Sequence, residues 1–146
     1  MKKIISSLLI AVFALSFSFN ISAQKTISGK WKTIDDETNK EKSIVQIWFD
    51  KDKTYKGMIT HLYEESKRNN TCTACLKTDK RYNKKIVGMI ILTGLKKKGK
   101  EWSGGQILDP NNGKIYKCKV WIEGNNLKLR GYIGPFYRTQ TWVPVK

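Results

Sequence analysis

The chain has 146 residues, 28 of them Lys or Arg against 12 Asp or Glu, for a formal net charge of +16. That length suits one domain with a single core and does not call for a dense disulfide framework. The charge alone would admit nucleic acid as a partner, but the first residues direct the chain elsewhere.

Lys2-Lys3 precede an apolar stretch, Ile4 to Phe19, that is short for a membrane span, and Ile21-Ser22-Ala23 offers small residues for cleavage before Gln24. This is the pattern of a secretory signal peptide over residues 1–23, leaving a mature domain over 24–146. No Cys stands near the cleavage site, so a lipoprotein anchor is not expected. Export is expected, to the periplasm rather than beyond the cell. Loss of the two leader lysines leaves +14. Nucleic acid is then not an expected partner. Anionic membrane surfaces and acidic glycans are the available ones.

Short runs separated by turn signals fill the rest. Lys30 to Ile34 meets the polar turn Asp35 to Lys40, and Ser43 to Phe49 follows. Asp50 to Lys53 turns the chain into Thr54 to Tyr63. After a long connection come the apolar run Ile86 to Leu95, the basic turn Lys96 to Lys100, and Glu101 to Leu108. Asp109-Pro110-Asn111-Asn112-Gly113 is a strong hairpin signal, because Pro presets φ and Asn or Gly accepts φ > 0. Lys114 to Ile122, Leu127 to Ile133 and Tyr137 to Val145 complete about eight strands, the spacing of an all-β barrel or sandwich. One helical turn is expected within Glu64 to Arg81.

Alternation separates two faces. Tyr116, Cys118, Val120 and Ile122 share one, opposite Lys117, Lys119 and Trp121. Leu127, Leu129, Gly131 and Ile133 share one, opposite Lys128 and Arg130. Val45, Ile47 and Phe49 oppose Gln46 and Trp48. An apolar inside and a basic outside are expected. Glycines within strands mark bends where a sheet closes.

These runs resemble a family of exported bacterial proteins known as domain-of-unknown-function family 2147. The resemblance covers essentially the whole mature chain. It rests on Gly29-Lys30-Trp31, Cys72-Thr73-Ala74-Cys75, Gly104-Gly105-Gln106-Ile107-Leu108-Asp109-Pro110, Leu129-Arg130-Gly131-Tyr132 and Arg138-Thr139-Gln140-Thr141-Trp142, among others. Tyr137 departs from the Gly that the family tends to place before the closing Arg. The resemblance implies a lipocalin-like antiparallel barrel and no assigned activity. In barrels of that type a late Arg often lies over an early Trp. Gly29, Trp31 and Arg138 are therefore expected to close one end by a cation–π contact.

Cys72-x-x-Cys75 lies in the long connection, flanked by Lys77, Lys80, Arg81, Lys84 and Lys85. In an oxidising compartment a small-loop disulfide between Cys72 and Cys75 is the leading reading. Three alternatives stay open: a redox-active dithiol, a zinc site completed by Cys118 and His61, or a pairing of Cys118 with one of the two. His61, the one histidine, shares an alternation face with Tyr55, Gly57 and Ile59. Asp35, Asp36 and Asp109 fall in turns, where carboxylates bond backbone. No catalytic constellation is recognisable, and neither cofactor nor metal is called for.

The expected protein is thus a single, exported, eight-stranded antiparallel barrel that binds rather than catalyses. Its ligand would be a small apolar or amphipathic molecule, anionic ones included, in the barrel mouth. Trp48, Trp102, Tyr116, Lys80 and Arg81 are the expected contacts, with Lys77 to Lys85 and Lys96 to Lys100 as a basic rim. The alternatives are a thiol-redox or metal-linked protein using Cys72 and Cys75, and a solid-cored module that binds through its outer surface.

Overall fold

A computed structural model describes residues 25–146; the expected signal peptide lies outside the described residues. Eight strands follow in order: β1 (Gly29–Ile34), β2 (Glu41–Phe49), β3 (Tyr55–Leu62), β4 (Ile90–Lys98), β5 (Glu101–Asp109), β6 (Lys114–Glu123), β7 (Asn126–Ile133) and β8 (Phe136–Pro144). Each pairs antiparallel with the next, and β8 returns to β1 through Trp31–Pro144, Lys32–Val143 and Thr33–Trp142. The sheet is a closed barrel, so no strand edge is left unpaired. A single 3-10 turn, Glu65–Lys67, is the helical element expected in the connection.

The alternation holds where the ladders are regular. Cys118 and Val120 face inward with Leu127 and Leu129. Outside, Lys117, Lys119 and Lys128 share the wall with Arg130, whose guanidinium lies 4.2 Å from the Tyr137 ring centroid and 5.3 Å from that of Trp121. The period breaks at a bulge between Ile44 and Val45, across which Val45 pairs with Ile59 but Ile44 pairs with His61. The extra residue moves His61 to the outer face, away from Ile59, where its ring packs edge-on against Tyr63.

Because the strands alternate in direction, every second connection falls at the same end, and the longest, 63–89, is among them. The turn at 35–40, the connection 63–89, the turn at 110–113 and the tip at 134–135 surround that end. The other end is shut. Ile47, Leu95, Trp102, Val120 and Leu127 fill its floor, each nearly or wholly buried. The segment before β1 crosses beneath them. Ile27 is fully buried, its carbonyl accepts from the Trp31 indole N–H at 2.8 Å, and Lys25 donates to the Gly124 carbonyl on the far side.

This corrects the expected closure. Arg138 sits opposite Gly131, six residues along β8 from the Pro144 that faces Trp31. At about 3.3 Å per residue the separation is roughly 20 Å. Arg138 pairs instead with Asp36 at 2.9 Å, at the open end. Trp31 is covered by the chain's own N-terminal segment rather than by a cation.

Cys72 and Cys75 form a disulfide. Backbone bonds from Cys72 N–H to Lys84 O (2.9 Å) and from Asn83 N–H to Cys72 O (3.1 Å) fold the connection back on itself. The bridge rests on the β5–β6 turn, with the Cys72 sulfur 3.6 Å from the Pro110 carbonyl. Gly113 makes this approach feasible. Its φ is +70°, and a Cβ there would stand 1.8 Å from the Ala74 carbonyl oxygen. The connection and its disulfide thereby contribute buried Cys72, Cys75 and Met89 to the same core as the buried Leu108 of β5.

Candidate functional site: the open mouth of the barrel

The open end leads into a cavity of about 1240 Å³. Ile59, Ile91, Leu129 and Trp142 line it and are themselves buried, so this part of the wall is apolar. Around them come neutral polar groups. The Thr33 and Ser43 hydroxyls meet at 2.7 Å, Gln140 Oε1 accepts from the Trp142 indole at 3.3 Å, and the Tyr116 hydroxyl accepts from Asn112 Nδ2 at 2.9 Å. Gly131 also lines the cavity, and the missing side chain leaves room beside Tyr116.

Charge appears at the rim. Six carboxylates (Asp35, Asp36, Glu37, Glu41, Glu64 and Asp109) and four cations (Lys40, Lys42, Lys67 and Arg138) line the mouth. Most are engaged with one another or with turns. Lys42 pairs with Asp35 at 3.5 Å, Lys67 with Glu64 at 2.7 Å, and Lys32 with Glu41. The Thr38 N–H and hydroxyl hold the Asp35 carboxyl down to about 2, and Asp109 accepts from the Asn111 N–H in its own turn. A basic chain therefore has a mouth with no excess of positive charge.

Of the five expected ligand contacts, Tyr116 lines this cavity and the other four lie elsewhere. Trp48 sits opposite Lys56, with its indole N–H directed at Asp50 (3.3 Å). Trp102 faces inward but at the closed end, 2% exposed, with Tyr55 edge-on to it and the Lys97 ammonium 5.4 Å from its ring centroid. Lys80 is exposed on the connection. Arg81 is held by Asp79 at 2.7 Å and donates to the Ile90 carbonyl, which keeps it on the outer flank. The expected basic rim is also split. Lys77 to Lys85 belong to the open end, whereas Lys96 to Lys100 form the β4–β5 turn at the closed end.

Sequence reasoning missed Ile59, Ile91, Leu129, Gln140 and Trp142 as cavity wall, and Arg138 as a rim residue. Alternation marked the inward faces but carried no information on depth.

The cysteines are accounted for. Cys72 and Cys75 are bonded to each other, which removes two ligands from the zinc alternative and leaves no open dithiol. Cys118 is a free, buried thiol on the inner face of β6, and burial pushes it up to about 12, too high for thiolate chemistry at neutral pH.

Comparison with solved structures finds the same architecture in a protein from Helicobacter pylori, HP1028, described as belonging to the lipocalin family. The TM-score is 0.72 at 19% identity, over 84% of this chain and 85% of that one. No curated protein matches the sequence. The model of a family described as uncharacterized proteins conserved in bacteria, DUF2147, matches residues 29–143, which is the barrel from its first strand into its last, and the chain belongs to that family.

Proposed function

We propose that this is an exported, periplasmic protein of the cell envelope that carries a small apolar or amphipathic molecule in the open end of its barrel, without catalysis. The observation that supports this reading most is the one-ended cavity: an apolar wall, a belt of neutral polar groups and an ionic rim, each in turn nearer to solvent. Such a gradient suits a molecule with an apolar body and a polar end. The rim favours a neutral or zwitterionic end group over a free anion, since its carboxylates outnumber its cations. A solid-cored module is disfavoured by the cavity itself, and thiol-redox exchange by the burial of both bridged cysteines.

Titration with N-phenyl-1-naphthylamine, a neutral apolar dye that brightens out of water, tests the reading. Binding of one dye per chain is expected. Gly131→Phe is the companion variant. A Cβ there meets Tyr116 at an ordinary 3.6 Å, so the ring has room to enter the cavity without disturbing the strand. Displacing about two methylenes' worth of ligand contact corresponds to roughly tenfold weaker binding at ~0.8 kcal/mol each. A wild-type chain that binds no dye, or a variant that binds as well as wild type, contradicts the proposal.

A further inference from the structure

Large apolar side chains that stand in solvent are concentrated at the open end. Ile133, Phe136 and Tyr137 are 58%, 76% and 61% exposed, and they flank the Gly134-Pro135 tip between β7 and β8. On the connection, Leu76 is 66% exposed beside the disulfide. Ile90 and Ile115, at the open-end starts of β4 and β6, are exposed as well. At the closed end the corresponding set of described residues is Phe49 alone. Scattered exposed apolar residues need no explanation, but a set gathered around one opening does.

The shape of this set selects its partner. Two-residue hairpin tips ordinarily carry polar, turn-forming neighbours. Here Ile and Phe project from a two-residue tip beside an open cavity. A fluid interface accommodates isolated projecting side chains. The same end also supplies cations: Lys77, Lys80, Lys84 and Lys85 are exposed on the connection and make no ion pair among the described residues. The rim carboxylates Asp35, Asp36 and Glu64 are already paired with Lys42, Arg138 and Lys67, so the unpaired connection lysines are the charge this end has free for lipid phosphates. Apolar tips with flanking lysines complement a layer of anionic phospholipid.

We propose that the barrel docks mouth-first on an anionic bilayer. Phe136 and Ile133 enter the boundary between headgroups and acyl chains, and the connection lysines meet lipid phosphates. Ile133, Phe136 and Tyr137 also line the cavity, so docking opens the cavity toward lipid. Exchange of a ligand between membrane and cavity rests on the binding function proposed above; the docking itself does not.

The test is flotation of the mature chain with vesicles of phosphatidylcholine, alone or mixed with phosphatidylglycerol. Two variants are compared with wild type after their melting curves show a native fold. Ile133→Ser/Phe136→Ser removes the tip, and Lys98→Glu/Lys100→Glu reverses charge at the closed end. Wild type is expected to float with the mixed vesicles, the tip variant to partition at least about tenfold more weakly, and the closed-end variant to stay within a few-fold of wild type. Dye binding is measured on wild type without vesicles, and flotation without dye, which separates failure of docking from failure of ligand binding. Docking is overturned if wild type does not float, if the tip variant floats equally well, or if the closed-end variant is the one released. It is also overturned if sedimentation shows a wild-type dimer that the tip variant dissolves, because the patch would then join two copies of this chain.

Discussion

Single residues decide how closely the barrel closes. At Gly105 the Leu95 side chain occupies the place of a Cβ, with Leu95 Cγ 2.6 Å and the Thr93 carbonyl oxygen 2.8 Å from it. The leucine belongs to the floor and the carbonyl to the β4 backbone, so neither can withdraw cheaply. Gly105→Ala is expected to destabilise the fold by about 1–3 kcal/mol through overpacking. Chemical denaturation reads this as a lower midpoint at unchanged slope, and an unchanged midpoint would show that the floor is looser than described. Gly131 has the same residue type on an inward face with the opposite consequence, because a Cβ there would meet Tyr116 only at ordinary contact distance. The distinction lies in height along the barrel, which one residue's identity does not encode.

At the scale of elements, the connection 63–89 is the part that departs most from barrel grammar, and it is held by polar and covalent ties. Its disulfide closes a very small ring. Its effect on the unfolded chain is therefore below the roughly 3 kcal/mol of a 15-residue loop. Cys72→Ser/Cys75→Ser is expected to loosen the connection locally while the barrel survives. Amide exchange should accelerate at Cys72 and Asn83 and remain slow in β5 to β7. Uniform acceleration would mean instead that the bridge supports the whole fold. Acid acts on the same end of the molecule. The Arg81 guanidinium and N–H hold the Asp79 carboxyl down to about 2, and Thr38 does the same for Asp35. Unfolded, both titrate near 3.9. The folded values are depressed, so their stabilisation is complete above about 4 and is lost as pH falls toward and through about 2. Protection of the Thr38 and Arg81 amides, which these carboxylates accept from, measured relative to unfolded-chain exchange at the same pH, should fall in that window and be insensitive to pH above it. Equal protection at pH 2 and pH 5 would contradict the assignment.

For the whole molecule, the strands and their faces were legible because a half-buried sheet imposes period two, and Tyr116 to Ile122 opposite Lys117 and Lys119 display it without interruption. The resemblance carried by Gly29-Lys30-Trp31 and the Gly104 to Pro110 segment pointed to a closed barrel, which the ladder from β8 to β1 bears out. The candidate site was harder to see for three physical reasons. Alternation reports which face a residue takes and not its height, so Trp102 and Tyr116 looked equivalent although one lies in the floor and the other near the mouth. A bulge shifts the phase without a mark in the sequence, which is how His61 left the face of Ile59. The contact that closes an end depends on chain segments outside the strands, and Ile27 displaced Arg138 from that role. What remains is a basic barrel with a floor, a mouth and space between them. Native mass spectrometry of the chain, purified gently from the cells that produce it beside Gly131→Phe prepared the same way, tests that space directly. A reproducible added mass on wild type, released by denaturation and depleted in Gly131→Phe, is the expected result; bare polypeptide in both would contradict a ligand-carrying cavity.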